Sequence, residues 1–437
     1  MLDTRAHPPV MIVGGGLSGL SAAAILARAG YAVTVFEKAS VPGGYARSKQ
    51  QGEFTFNLGA HAFYLGGAGE KLLSELGVRY RGAPPAFDKW LVLDGGKLHA
   101  WPTRATSLPG MPSWHPDATA ALARFYSSLK DIHQEQLQNV SLRDWLDQEV
   151  PHPHVRQFVL ALARLTTFSH APALVSAGMI LPLLSAQVLY LDGGWQTLVD
   201  GLRQAAQEAG AELVTHVRVA AIEIAEERHT VRLANGASYL ASAVVLAIDP
   251  QAASVLVADG AHKELNWWAT QSVPARAACL DVALRRLPKP QHQFALGIDR
   301  PLYSAVHSAW AKLAPEESAL VHTLKYLQPD EPAEPETIRQ ELEALLDLVQ
   351  PGWRAEVVEQ YFLPHMVPSN ALVLARQGGL PGRPGPAVPG IRNLYVAGDW
   401  VGTEGQLANA CFASASSAAC MIMSTLAAKS GDAAVVH

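Results

Sequence analysis

The stretch VMIVGGGLSGLSAAAILARAG, residues 10–30, sets a run of glycines between a short apolar segment and a long Ala/Leu-rich one. VMIV has the uncharged, β-branched character of a strand buried on both faces, and SAAAILARA the composition of a helix. Gly14, Gly16 and Gly19 then read as G-x-G-x-x-G at the turn between them. Gly14 serves the tight turn, Gly16 the approach of backbone to a pyrophosphate, and Gly19 the close packing of helix on strand. The N-terminus of such a helix faces phosphate charge. A second run, YAVTVFEK at 31–38, closes a βαβ unit. Glu37 ends it about twenty residues past the glycines, where a carboxylate accepts the protons of both ribose hydroxyls and repels a 2′-phosphate. This pattern predicts a dinucleotide site and leaves NAD and FAD both open.

The chain has 437 residues, 49% hydrophobic and 17% charged, enough for two domains or one large interleaved pair with a substantial core. A net charge of -5 with interspersed signs provides no basic stripe, so nucleic acid is not an expected partner. Three widely spaced cysteines without a CxxC, and an N-terminus without an apolar leader, point to a reducing cytoplasm. HAPALVSAGMILPLLSAQVLYL, residues 170–191, carries no formal charge but is interrupted by two prolines. It reads as a buried helix pair of the substrate region, with peripheral membrane contact the other reading. Nothing in the sequence speaks to oligomeric state.

Along the chain, residues 83–185 turn to helical periodicity, as in DATAALARFYSSLKDIHQEQL and VRQFVLALARL. GGWQTLVDGLRQAAQEAGAELVTHVRVAAIEI returns to helix and strand, and TVRLANGASYLASAVVLAIDP adds a hairpin on Asn235-Gly236. Residues 255–370 form a second excursion, with strand-like CLDVALRR and RAEVVEQYFL and a helix at ETIRQELEALLDLV. IRNLYVAGDW is a last buried strand, followed by a small-residue helix over 407–427. The expected organisation is α/β: a three-layer Rossmann-like nucleotide domain from 1–82, 186–254 and 371–437, interleaved with an α+β substrate domain from 83–185 and 255–370.

After Glu37 comes EKASVPGGYARS, E-x5-G-G-x-x-R-S over residues 37–48. Behind a glycine fingerprint, this resembles the FAD-binding signature of the superfamily of flavin amine oxidases, protoporphyrinogen oxidases and phytoene desaturases. The resemblance implies FAD, held by Gly14, Gly16, Leu17, Ser18, Gly19, Glu37, Lys38, Gly44, Tyr45 and Arg47. Arg47 serves as a fixed cation for phosphate. Three further segments match in the same order. FNLGAHAFY resembles the element that sets Gly59, Ala60 and His61 against the isoalloxazine, with Asn57 in place of the usual Asp. GGWQTLVDGL with THVRVAAIE resembles the adenine-contacting element, and the match falls on the backbone of Val219. NLYVAGDWVGTEGQLANACFASASSAA resembles the terminal motif in which Asp399, after Gly398, meets the ribityl chain or reaches the diphosphate environment, Gln406 and Leu407 following at the start of a helix aimed at the flavin.

By the same likeness a hydride passes from a substrate carbon to the flavin N5, and the one catalytic candidate is His61. Amine oxidases place an aromatic near the Leu407 position; Leu407 argues against an amine site and for dehydrogenation of an apolar isoprenoid or polycyclic small molecule, closest to the phytoene desaturase-like enzymes. Tyr361 and Phe362 are candidate cavity wall or strand core. The alternatives are a flavin amine oxidase, a non-enzymatic binding protein like the GDP dissociation inhibitors, and a nicotinamide dehydrogenase, in which the Gly398-Asp399 element has no role. HExxH, Walker and GxSxG motifs are absent, and His152 and His154 in PHPHVRQ read as a helix entry, so no metal is expected. Trp267 and Trp268 read as core or cavity wall.

Overall fold

The computed structural model describes residues 9–102, 115–257, 262–332 and 334–432. The expected domain limits at 1–8 and 433–437, and the leader-free reading of the N-terminus, lie outside the described residues. Val10–Val13 is the centre of a five-stranded sheet ordered Glu212–Val214, Val33–Phe36, Val10–Val13, Ala243–Leu246, Leu394–Val396, every pair parallel. Val10 and Ile12, with Val33, Val35, Ala243 and Val245, face helices Leu17–Arg28, Gln196–Glu208 and Leu407–Asp432. Met11 and Val13, with Phe36, Val244 and Leu246, face an antiparallel meander of Val219–Glu223, His229–Leu233 and Ser238–Ala241. The two-residue period of a strand thus feeds two separate cores, and three layers follow. The meander turns on Asn235-Gly236, with Gly236 at φ 91°.

A second, mixed sheet has seven strands in the order Val357–Ser369, Ala275–Leu284, Ala319–Leu327, Leu302–Val306, Phe294–Gly297, Trp90–Asp94, Lys97–Ala100. Only Phe294–Gly297 and Trp90–Asp94 run parallel. Leu280, Val282 and Leu284 pack under helix Pro335–Val349. Ala277, Cys279 and Ala283, on the other face, share a core with helices Pro116–Ser128, Leu142–Glu149, Pro153–Thr167 and Ala177–Leu183. The two sheets draw their strands from alternating portions of the chain, and Val188–Leu191 forms a separate three-stranded sheet with Phe63–Tyr64 and Gly82–Ala83.

Three expectations are corrected. The region from residue 83 is not helical at its start: WLVLDGGKLHA is a hairpin closed by Gly95 and Gly96, both at positive φ, the two-residue turn that matches strand twist. Residues 170–191 hold one helix, Ala177–Leu183, which carries Pro182 and gives way to strand, instead of a helix pair. Trp268 is core against Trp400, but Trp267 is 50% exposed. Among the described residues one helical stretch, Leu407–Ala428, is long and apolar enough to cross a membrane; half of its most apolar window is buried, and the helix packs on Leu17–Arg28 and Ala68–Glu75.

The second sheet is anchored by aromatics. Phe294 is 1% exposed and stacks on Trp90 at 3.8 Å, with Trp101 edge-on to both. Phe294→Ala is expected to cost about 3–5 kcal/mol, the loss typical of a buried aromatic that leaves a cavity, read as a lowered urea midpoint.

Candidate functional site

A cavity of about 760 Å³ runs from the glycine turn to the edge of the second sheet. At its nucleotide end, Gly14 sits at φ 104° and a Cβ there would run into the Ala247 carbonyl; a Cβ on Gly19 would run into the Gly14 carbonyl. Turn and helix therefore meet backbone to backbone. Gly16 differs, because the nearest atom to an added Cβ is the Gly43 carbonyl oxygen at 4.0 Å, so its side is open. Helix Leu17–Arg28 has no side-chain cap and no acidic residue in its first turn. Its first N–H groups are left for an anion from outside the chain. Glu37, 8% exposed, accepts from Gly15 N and Ala39 N, each at 2.7 Å, which fixes the carboxylate in the cavity wall. Lys38 and Arg47 are exposed on the same wall, and Arg47 has no carboxylate partner among the described residues.

The other end is walled by Leu58, Ala60, His61, Ala62, Tyr64, Phe168, Leu407 and residues 362–368 of strand Val357–Ser369. That strand is a sheet edge, which is where Pro364 and Pro368 are tolerated. Three segments are laced together across the cavity. The Tyr45 hydroxyl donates to Asn370 Oδ1 at 3.2 Å, and Asn370 donates through N and Nδ2 to Asp399 Oδ2 and Oδ1 at 2.8 and 2.9 Å. Buried Arg383 donates to the carbonyls of Asp399, Glu404 and Gly405 and fixes the following turn; burial brings its pKa down to about 10, against the pull of Asp399, and it stays charged. Gln406 Nε2 donates to Thr166 O at 2.9 Å.

His61 lies with Nδ1 3.0 Å from Gly59 O and Nε2 3.0 Å from Tyr45 O. Burial holds its pKa below the ordinary histidine value, although both carbonyls favour the proton. A neutral imidazole donates to only one of the two, leaving a lone pair against the other oxygen. The ring can thus accept a second proton without moving.

The sequence from residue 17 to residue 423 matches the family profile of flavin containing amine oxidoreductases. The chain belongs to that family. Relatives of the chain include a carotenoid 3,4-desaturase from Haloarcula japonica, 26% identical over 52% of this chain and 53% of the relative. A phytoene dehydrogenase from Streptomyces griseus is 26% identical over 59% and 57%. The chain thus spans little more than half the length of these curated relatives. Solved structures share the fold: an oxidoreductase from Methanosarcina mazei at TM-score 0.71 and 18% identity, covering 95% of this chain and 100% of that one, and a putrescine oxidase bound to putrescine at 0.73 and 16%, covering 95% and 99%. The cofactor of the family is a flavin, and an uncapped helix end, an open Gly16, a fixed Glu37 and an exposed Arg47 suit the phosphates and ribose of FAD.

Of the residues singled out in the sequence, Gly14, Gly16, Leu17, Ser18, Glu37, Lys38, Gly44, Tyr45, Arg47, Ala60, His61, Gly398, Asp399, Gln406 and Leu407 line the cavity. Gly19 and Gly59 stand behind its wall: Gly19 packs the helix, and Gly59 faces Met366. Val219 does not reach it. Its side chain is buried with Met11, Val13 and Phe36, and the chain touches the nucleotide strand earlier, where Val217 N donates to Glu37 O. Tyr361 packs on Phe56 and Lys49 instead of the cavity, whereas Phe362 lines it. Sequence reasoning missed Ala247, Ile248 and Asp249, though VVLAIDP held the signal: ligands of a parallel sheet bind beyond the carboxyl ends of its strands.

His152 precedes helix Pro153–Thr167 and meets Asp117 at 3.2 Å, in keeping with a helix entry. Among the described residues two groups nevertheless gather metal-type ligands, Asp94 with His115 and His154, and Cys279 with Asp281 and His322. In the second, the Sγ–H and Nδ1–H already donate to one oxygen, Asp281 Oδ1, so its ligand atoms are satisfied by each other.

Two outcomes follow from the glycine geometry and the cysteine environments. The Gly16→Leu apoprotein is expected to unfold near the midpoint of the wild-type apoprotein yet take up no flavin, whereas Gly19→Leu lowers the apoprotein midpoint itself; flavin absorbance and thermal unfolding of the apoproteins read the two effects separately. Burial, with Asp399 nearby, pushes the Cys411 thiol up to about 12, so little thiolate exists at pH 8. Iodoacetamide should modify exposed Cys420 in the apoprotein long before Cys411 or buried Cys279, as peptide mass mapping would report.

Proposed function

We propose that this FAD-dependent oxidoreductase is a dehydrogenase that desaturates a C–C bond in an apolar isoprenoid or polycyclic substrate. The observation that carries the reading is the far end of the cavity, where Leu407 stands at the position that resemblance assigns to an amine-caging aromatic. The surrounding wall is Leu58, Phe168, Leu363, Met366 and Val367. The carboxylates of the cavity wall among the described residues are Glu37, Asp249 and Asp399. None of the three is among the residues that wall the far end, and Asp399 is tied to Asn370, so the hydrocarbon end of the cavity offers no free carboxylate to a cationic amine. The desaturase relatives add support. Cofactor features kept in full argue against a binding module of the GDP dissociation inhibitor type, which has no use for them.

Desaturation removes a hydride from one carbon and a proton from its neighbour: FAD, when bound, would accept the hydride, and His61 would offer the proton an acceptor. The chain's part is to orient, to exclude water and to manage charge. Residues 362–368 and Leu407 present an apolar bed that orders a hydrocarbon by shape. His61, neutral and flanked by two carbonyl acceptors, takes up a proton in place when negative charge develops beside it. On this reading 1–82, 186–254 and 371–437 bind the cofactor, and 83–185 and 255–370 shape the substrate. Free cysteines at 279, 411 and 420 suit a reducing cytoplasm.

Anaerobic mixing of the flavin-loaded enzyme with carotenoid precursors, porphyrinogens and amines tests the reading. Dispersed carotenoid precursors or related polyenes should bleach the oxidised-flavin band. Bleaching confined to small primary amines would overturn it.

A further inference from the structure

Strand Ala275–Leu284 carries a carboxylate in the interior of the second sheet. Asp281 pairs directly with His322 across the antiparallel register, and both, like Cys279, are 0% exposed. His322 Nδ1 donates to Asp281 Oδ1 at 2.6 Å, and Cys279 Sγ donates to the same oxygen at 3.0 Å. The other oxygen, Oδ2, accepts from Gly59 N at 3.0 Å. Gly59 belongs to a different part of the chain, the segment whose next residues, Ala60 and His61, form cavity wall.

A carboxylate without water around it is costly to hold unless its oxygens are met by hydrogen-bond donors. Burial opposes the Asp281 carboxylate, but His322 and the donors from His322, Cys279 and Gly59 outweigh burial and hold its pKa below the usual range. Oδ1 is spent on keeping the carboxylate charged and fixed. Only Oδ2 reaches outside the sheet. Gly59, at φ 122°, is in a conformation open to glycine alone, and a Cβ there would collide with Met366. Its carbonyl is the one against which His61 Nδ1 docks.

We infer that Asp281, braced by His322, is a positioning residue for the flavin-facing wall: it clamps Gly59 N and thereby sets the carbonyl that orients His61. The inference rests on the assignment of the cavity to FAD. Asp281 touches no cavity atom itself and acts through Gly59. Nε2 of His322 has no hydrogen-bond partner among the described residues, so the ring proton can sit on either nitrogen, and substitution by the amide separates the clamp from its charge. In Asp281→Asn the amide oxygen still accepts from Gly59 N, while the amide N–H₂ donates to His322 Nδ1 once the ring proton moves to Nε2.

The test is FAD titration of the apoprotein, with the visible bands of the bound flavin, for wild type, Asp281→Asn, Asp281→Leu and Cys279→Ala. Asp281→Asn and Cys279→Ala should bind within about threefold of wild type, while Asp281→Leu, lacking an acceptor, should bind at least about tenfold more weakly with displaced flavin bands. Wild-type affinity and bands in Asp281→Leu would overturn the inference. So would a loss in Asp281→Asn equal to that in Asp281→Leu, because the charge and not the clamp would then be at work. If Asp281→Leu does not fold, amide hydrogen exchange of the wild-type apoprotein decides. Protection at Gly59 to the level of the neighbouring strands supports the clamp, and exchange as fast as in an open loop refutes it. Failure of the wild type to take up FAD would instead overturn the cofactor assignment.

Discussion

The contact of Gly19 with the Gly14 carbonyl is the constraint on which the remaining geometry depends. It seats helix Leu17–Arg28 directly on the turn after Val10–Val13, so the uncapped end of the helix opens onto the crevice beyond the sheet. Neighbouring pieces are registered to that turn by backbone bonds: Gly14 N to Phe36 O at 2.9 Å and Gly43 N to Gly15 O at 2.8 Å. Glu37 then needs no side-chain partner, because Gly15 N and Ala39 N hold it. A larger residue at position 19 would displace helix, signature loop and carboxylate together.

What was legible in the sequence was whatever local chemistry dictates. The glycine turn, the buried strand before it and the E-x5-G-G signature each answer a backbone requirement met within a few residues. Residues 95 and 96 show where such reading was incomplete: the Gly-Gly turn signal was present, but the strong helical periodicity that follows it coloured the whole region. The packing of Val219 was not legible: a β-branched residue at the start of a strand contributes to whichever core its face meets, and that face is decided by the meander's packing on Phe36 and Val13, which no local pattern records. The Asp281 cluster was out of reach altogether, since its members stand at residues 59, 279, 281 and 322 and come together only through sheet register.

Backbone strain gathers around the cavity. Leu58, Phe168 and Leu407 all adopt positive φ, between 51° and 57°, and all line it. A left-handed conformation costs an L-residue with a side chain about 1–2 kcal/mol. Surrounding contacts hold these residues in place, among them the Gln406–Thr166 bond beside Leu407 and the helix end that Phe168 terminates. A side chain that leaves a helix or strand in this way points where regular geometry would not send it, and here three apolar ones converge on a single hollow.

The interleaving of the two sheets has a consequence for biosynthesis. The hollow is completed by residues from Gly14 through Tyr64, by Phe168 and Trp195, by Ala247–Asp249, by residues 362–370 and finally by residues 397–411. A nascent chain on the ribosome therefore possesses the phosphate-binding turn early but lacks the far wall until about residue 411 has emerged. Prosthetic-group capture must follow the near-completion of translation, and a truncated product ending before that point would be a colourless protein however well its first strands had paired.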